Sequence, residues 1–446
     1  MTLSVEEARG LAKRVVALTA ADAAEVLVTA ESSALTRFAN NRNHQNVAER
    51  NAQVSIRAVL GQRIGVASTN RLDDESLRAA SEAAVRAAAI APEDPSFPGL
   101  PGPAPVADIS RAAEAPRVFD AEARAAAVHS IVEQSVSRSL TAAGMVRAAE
   151  HSIAIANSLG VDVGQALTGA QATVLSMGPD SGSGWTSFLD TDASLLAAEK
   201  LGSQAADLAQ RSANPTTLDA GDYTVVLAPE AVANILDFLA YVGISAKAFA
   251  EGRSFLSGKL GTKIVSDLVS IDDDALAPRA MGTVFDYEGQ PRHRVQVIDR
   301  GVAVEPVTDS YWASKLSRRN TGHALPAPNA WGPMPMNLEM AGGDASLDEL
   351  IGSVTRGVYV TRFHYVNVED PIAVTLTGMT RDGTFLIESG RLSRPLKNLR
   401  FTQSVIEALV HCEGVTRERE FVGTEEGAAL APGLLLGKFA FTGQTS

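Results

Sequence analysis

The texture of this chain changes at Arg211–Gly221, and that change constrains the fold more than any other feature. Before it, segments of helical period alternate with segments of strand period. After it, short extended segments separated by Gly and Pro dominate. The junction itself, Arg211-Ser-Ala-Asn-Pro-Thr-Thr-Leu-Asp-Ala-Gly221, has the composition of an interdomain linker. A chain of 446 residues also exceeds what one hydrophobic core usually organises. Two domains are therefore expected, residues 1–215 and residues 222–446.

In the first half, Ser4-x-x-Glu7 is a capping box that opens a helix to about Leu18, with Val5, Ala8, Leu11, Val15 and Leu18 on one stripe. Extended segments follow at Glu25–Thr29, Leu35–Asn40, Asn46–Glu49, Gln53–Val59 and Gly65–Ser68. Asp73-Asp74 then caps a helix to about Ile90. The Pro- and Gly-rich stretch Pro92–Pro105 predicts a surface excursion. Another helix spans Asp120 to Val136, and strands at Met145–Asn157 and Val161–Met177 flank the turn Asn157-Ser-Leu-Gly160. A last helix runs from Asp192 to about Ser212. The order suggests an internal duplication.

In the second half the extended segments are Tyr223–Leu227, Lys263–Leu268, Val295–Asp299, Gly357–Phe363, Ala373–Thr377, Thr384–Ile387 and Leu434–Phe441. Helices are expected only at Pro229–Ala246, Ser346–Ser353 and Thr402–Glu407. The fold class is α+β: an N-terminal α/β domain with mixed or antiparallel sheets, and a β-rich, barrel-like antiparallel C-terminal domain.

The net charge of −13, without a basic stripe, argues against nucleic acid as a partner. The single cysteine, Cys412, excludes an intrachain disulfide and a multi-thiolate metal cluster, and its apolar surroundings predict burial. The opening Met1-Thr-Leu-Ser-Val-Glu-Glu lacks a basic segment followed by an apolar one, so no leader is expected. No apolar segment reaches the ~18–20 residues needed to cross a bilayer. A cytoplasmic protein is expected, with no membrane partner.

Hydrolytic zinc needs about three protein ligands and an open position. None of the seven histidines forms a helical His pair at i and i+4. His129-x-x-x-Glu133 reads as a surface contact. Gly178-Pro-Asp-Ser-Gly-Ser-Gly184 fits neither a nucleophile elbow nor a phosphate loop and reads as a turn. Asp272-Asp273-Asp274 and Asp286-Tyr-Glu288 resemble acid clusters, but adjacent acids in a strand face opposite ways, and turn capping explains them more simply. Arg318-Arg319-Asn-Thr-Gly-His323, followed by the Pro-rich Ala324–Pro335, is a long segment without periodicity. Such segments often carry function. Its Arg319, Asn320, Thr321 and His323 are candidates for gripping peptide carbonyls or a terminal carboxylate.

Several segments together resemble a known family. Ser33-Ala-Leu-Thr-Arg-Phe-Ala-Asn40, His44-Gln-Asn46, Gly61–Asn70 and Glu150–Gly160 are similar to the N-terminal half of TldD/TldE (PmbA) proteins. Ser257-Gly-Lys-Leu-Gly261, Ile271-Asp-Asp-Asp274, Phe285-Asp-Tyr-Glu-Gly289, Asn320-Thr-Gly-His-Ala324, Arg356-Gly-Val-Tyr-Val360 and Leu376-Thr-Gly-Met379 follow in that family's order.

The resemblance implies an α/β N-terminal domain, a β-rich C-terminal domain, and a dimer enclosing a chamber where peptides are cut. It also implies a His-Glu-x-x-x-His zinc motif before the Ser-Gly-x-x-Gly segment in the catalytic subunit. Here that register falls on Asp237, Phe238 and Val242, and the family's late Cys ligand falls near Phe421–Thr424, where there is none. The chain thus resembles the TldE/PmbA-like subunit. The implications are no cofactor in this chain, zinc in a TldD-like partner, a heterodimer with that partner (or a homodimer when alone), and a peptide substrate. Gly357–Phe363, with Tyr359, is the expected edge strand for pairing with the peptide main chain. The family's gyrase-modulator label and the alternatives of a stand-alone enzyme in peptide or natural-product maturation, or a peptide-binding adaptor, complete the expectations.

Overall fold

In the computed structural model the described residues are 3–113, 119–424 and 428–444; Met1 and Thr2, part of the segment read for a leader, lie outside them. The chain begins with α1 (Val5–Leu18), β1 (Ala23–Ala39), β2 (Arg42–Leu60), β3 (Arg63–Thr69) and α2 (Asp74–Ile90). The same order then recurs, with α3 (Ala121–Val136), β4 (Thr141–Asn157), β5 (Asp162–Met177), β6 (Ser183–Asp190) and α4 (Ala198–Arg211). The first helix of the first unit has its capping box at Ser4 and Glu7, and Asp73 caps the second.

The two units share one six-stranded antiparallel sheet in the order β3-β2-β1-β4-β5-β6, joined through β1 and β4. Side chains alternate between its faces. Val26, Val28, Ile56, Ala154 and Ala156 point to the face covered by α1 and α2. Val146, Ala172 and Val174 point to α3 and α4. The opposite face carries Ile153 and Ile155, which pack on Val284 and Phe285 from the second half.

Two expectations are corrected here. The polar runs around Glu31 and Asn51 do not end strands, because Glu31 stays in register with both Asn51 and His151; β1 and β2 run through them. Asp192 opens only a short 3-10 turn, and the regular helix starts at Ala198.

The second half contains β7 (Gly221–Leu227), α5 (Pro229–Gly243), α6 (Ala246–Ala250), β8 (Ile271–Asp273), β9 (Val295–Asp299), β10 (Val302–Ala303), α7 (Ser310–Leu316) and β11 (Asn337–Met340). It continues with α8 (Leu347–Ser353), β12 (Arg356–Asp370), β13 (Thr375–Glu388), β14 (Arg391–Pro395), β15 (Leu399–Ser404), α9 (Val405–Val410), β16 (Cys412–Gly423) and β17 (Ala428–Gln444). Strands β7, β12, β13, β15 and β17 pair in sequence, and β17 pairs back onto β7, closing a barrel-like ring. Most pairings are antiparallel, but β12–β7 and β11–β17 are parallel.

Helix α5 packs against this ring, with Ala231, Val232, Leu236 and Leu239 fully buried. Phe363, Phe401, Phe439 and Phe441 form a chain of ring contacts in the same core. Cys412 is buried, as its surroundings predict.

Three segments differ from expectation. Lys263–Leu268 forms no strand, only a bridge from Lys263 to Val302. The expected helix over Thr402–Glu407 is split: Ser404 ends β15, and its hydroxyl accepts from Glu407 N to start α9. Over Val358, Tyr359 and Val360 the expected edge is not a sheet edge, because β12 is paired there on one side with β13 and on the other with β7. A peptide cannot add to those three residues without displacing a strand. Among the described residues no helix is long and apolar enough to cross a membrane.

Candidate functional site

The second half meets the bare face of the six-stranded sheet through residues 281–292, and buried charges tie the two together. Arg57 of β2 lies 2.8 Å from Glu25 of β1 and 3.2 Å from Glu288. Glu288 also accepts from the backbone N–H and hydroxyl of Ser310, at the start of α7. Burial pushes Glu25 up to about 7 despite Arg57. It pushes Asp286 up to about 7, aided by the charge of Glu288, and Asp309 up to about 6. The two aspartates are held by backbone donors: Asp286 accepts from Glu288 N, Gln290 N and Ala324 N, and Asp309 accepts from Trp312 N.

Behind this clasp is a second node. His323 Nε2 stands 2.9 Å from Asp273 Oδ1, and its Nδ1 stands 2.9 Å from Thr321 Oγ1. The second oxygen of Asp273 accepts from Asn337 N at 2.7 Å. Burial holds His323 below the usual imidazole range, whereas the imidazole and the Asn337 amide help hold Asp273 below the usual carboxylate range despite its burial. The carboxylate accepts from the imidazole at Nε2. It ties β8, the 321–323 loop and β11 into one unit.

The node corrects the reading of the 318–323 segment. Thr321 and His323 have no exposed surface, and their hydrogen bonds brace the loop. Asn320 caps the turn by accepting from Gly322 N, and Arg319 pairs with Glu305 at 2.6 Å. Tyr359 lies elsewhere, against Phe385 and under the influence of Glu420 and Arg211. The Asp272–Asp274 triplet is also reassigned in part: Asp274 caps a turn by accepting from Leu276 N, but Asp273 does not, and Asp272 pairs with Arg294.

A cavity of about 550 Å³ lies between the bare sheet face and the 281–292 segment. Strands β1, β2, β4 and β5 form its floor, and Met281, Tyr287, Arg292, Met336 and Ala428 cover it. Met336 and Ala428 also line a small adjoining cleft that contains Asp237 and Thr424. The helix register and the C-terminal segment that the resemblance singled out thus come to one place. Sequence reasoning named those positions, but it missed Arg292, Asn337 and the sheet-face residues. Their only signal was the strand alternation that leaves one face without a helix.

Those positions do not suit zinc. Phe238 and Val242 offer no donor atoms and pack with the core, which leaves Asp237 with the Thr424 hydroxyl. Among the described residues no three His, Cys, Asp or Glu side chains gather as a metal-binding group.

The PmbA/TldA metallopeptidase C-terminal domain model matches residues 220–443. The models of domain 1 and of the central domain match residues 24–88 and 104–213. A Methanothermobacter thermautotrophicus protein named as a metalloprotease is 27% identical over 221 residues, covering 49% of this chain and 48% of that protein. The Haemophilus influenzae PmbA homologue, also named as a metalloprotease, is 26% identical over 185 residues, 38% of this chain and 41% of that one. The chain spans less than half the length of these relatives in the matched segments. Its backbone superposes on the crystal structure of TldE from Thermococcus kodakarensis with a TM-score of 0.89, covering 97% of this chain and 99% of that one at 19% identity. That likeness is one of fold. The C-terminal match alone takes in half of the chain, and with the two preceding matches in order, the protein belongs to the PmbA/TldD metallopeptidase family.

Proposed function

We propose that this chain is the non-catalytic, TldE/PmbA-like subunit of a TldD/TldE-type metallopeptidase, and that it completes a chamber in which a TldD-like partner cuts peptides. The observation that carries the reading is the chemistry at Asp237, Phe238, Val242 and Thr424. The family's zinc register falls on a helix whose apolar side chains are packed, beside a cavity large enough for a peptide. The partner supplies the zinc. This chain supplies part of the chamber wall, including the sheet face beneath the cavity.

The test is reconstitution. Purified chain, its cognate TldD-like protein and their mixture are assayed for peptide hydrolysis and for mass in solution. The proposal expects a stable heterodimer whose activity neither isolated chain matches. Absence of both complex and activity with the cognate partner defeats it. The stand-alone enzyme reading draws on residues such as His323, Arg319 or Asp286, and the burial of His323 and Asp286 weighs against it. Tight peptide binding with no turnover in the mixture would favour the adaptor reading.

A further inference from the structure

Arg292 is almost wholly buried, at 3% exposure, yet its guanidinium is barely used. Nε and Nη1 have no hydrogen-bond partner, and Nη2 reaches only the thioether of Met336, at 3.8 Å. The neighbouring Asn337 Nδ2 is likewise without a partner. Both residues line the 550 Å³ cavity.

Arg292 is close enough to Asp273 and Asp286 to feel their charge. Neither accepts a hydrogen bond from it: Asp273 is occupied by His323 and Asn337 N, and Asp286 by three backbone amides. Those carboxyl groups lie near the guanidinium but leave its directed donors free. Burying donors unused is costly, whereas a guanidinium fork matches a carboxylate with two parallel hydrogen bonds.

We infer that Arg292 is a carboxylate-binding position, and that its ligand is the C-terminal carboxylate of a short peptide lying along the bare sheet face. The inference rests on the peptide-chamber reading above. The other cation in the cavity, Arg147, is already paired with Glu31, so one guanidinium meets one singly charged group. Ile153, Leu167, Leu189 and Met281 offer apolar surface for side chains, and the volume lies within the range that buries a small ligand. Met336 covers the guanidinium with an unbranched, adaptable side chain that an entering carboxylate displaces. The segment read from sequence as the grip for a terminal carboxylate, around Arg319, is replaced by Arg292.

The test titrates the full chain by calorimetry with tetra-alanine as the free acid, with tetra-alanine amide, and with acetate. The free acid is expected to bind at least tenfold more tightly than the amide and than acetate. Arg292→Gln is expected to abolish the preference for the acid, and Met336→Ala to preserve it. Equal affinity for acid and amide, failure of both to bind, acetate binding as tightly as the peptide, or an acid preference that survives Arg292→Gln would each overturn the inference. If Arg292→Gln does not fold, the acid–amide comparison on the unmodified chain decides alone. Because the titration uses the lone chain, its outcome is separate from whether a heterodimer forms.

Discussion

Replacing Arg57 by Met removes the one cation shared by two buried carboxylates on either side of the contact between the halves. The side chains of Arg57, Glu25 and Glu288 are 11%, 5% and 9% exposed. Breaking a buried ion pair by deleting one member costs about 3–5 kcal/mol, because the partner charge stays buried without compensation. Unfolding entropy near 2.1 cal/mol/K per residue gives about 0.9 kcal/mol/K for 446 residues melting as one unit. A loss of about 4 kcal/mol then lowers Tm by about 4 °C.

The loss should also depend on pH. Glu25 is already raised from 4.5 to about 7, and Arg57 works to lower it. A raised carboxyl contributes stability that is full below its unfolded value and lost as pH rises through its folded value. Without Arg57 that folded value climbs further, so the variant goes on losing stability well above pH 7, where the contribution of Glu25 in the parent has levelled off. One pH unit of that difference is worth about 1.4 kcal/mol. Differential scanning calorimetry at pH 6 and pH 8 should show the larger Tm deficit at pH 8, by about 1–2 °C. A deficit below about 1 °C at both, or the same deficit at both, would refute the reasoning.

Other perturbations follow from the same geometry. Gly322→Ala combines a φ of +73° with a Cβ placed 2.2 Å from the carbonyl oxygen of Pro291, so a cost of about 3 kcal/mol is expected in denaturant melts; a neutral result would contradict the loop geometry. Asp273→Asn replaces an oxygen that accepts from His323 or Asn337 N with a donor, at a cost of about 2 kcal/mol, and unchanged stability would mean the node is not formed as described. For the parent chain, the raised values of Glu25 and Asp286, about 7 each, make stability fall as pH rises from 6.5 to 7.5. His323, held below 6.5, works the other way only below that window, so a Tm that rises across it would contradict the assignment of these carboxyls.

The parts of the fold that were legible in the sequence are those with local signals. Capping residues at Ser4, Asp73 and Ser346 start helices where the side chain accepts an orphan amide. Val295–Asp299 forms a strand over the residues its pattern marks. Signals failed where pairing overrides composition. The polar middle of β1 is a strand because both neighbours hold it in register, and Lys263–Leu268 is not one because only a single bridge supports it.

The degenerate register that the proposed function rests on is legible in the letters of the sequence. Asp237, Phe238 and Val242 lack the donors of the family's motif, and that is visible letter by letter. The roles of Thr321 and His323 were not visible, because a polar loop and a buried polar node have the same composition; only the partners, Asp273 and Asn337 from distant strands, tell them apart. Arg292 was hidden for the same reason. What marks it is the lack of partners in three dimensions.

Native mass spectrometry of the zinc-incubated chain, alone and with its TldD-like partner, tests the central claim most directly. The account predicts no bound zinc on this chain alone and a one-to-one heterodimer whose zinc resides on the partner. Stoichiometric zinc on the lone chain, or no heterodimer with the cognate partner, would contradict it.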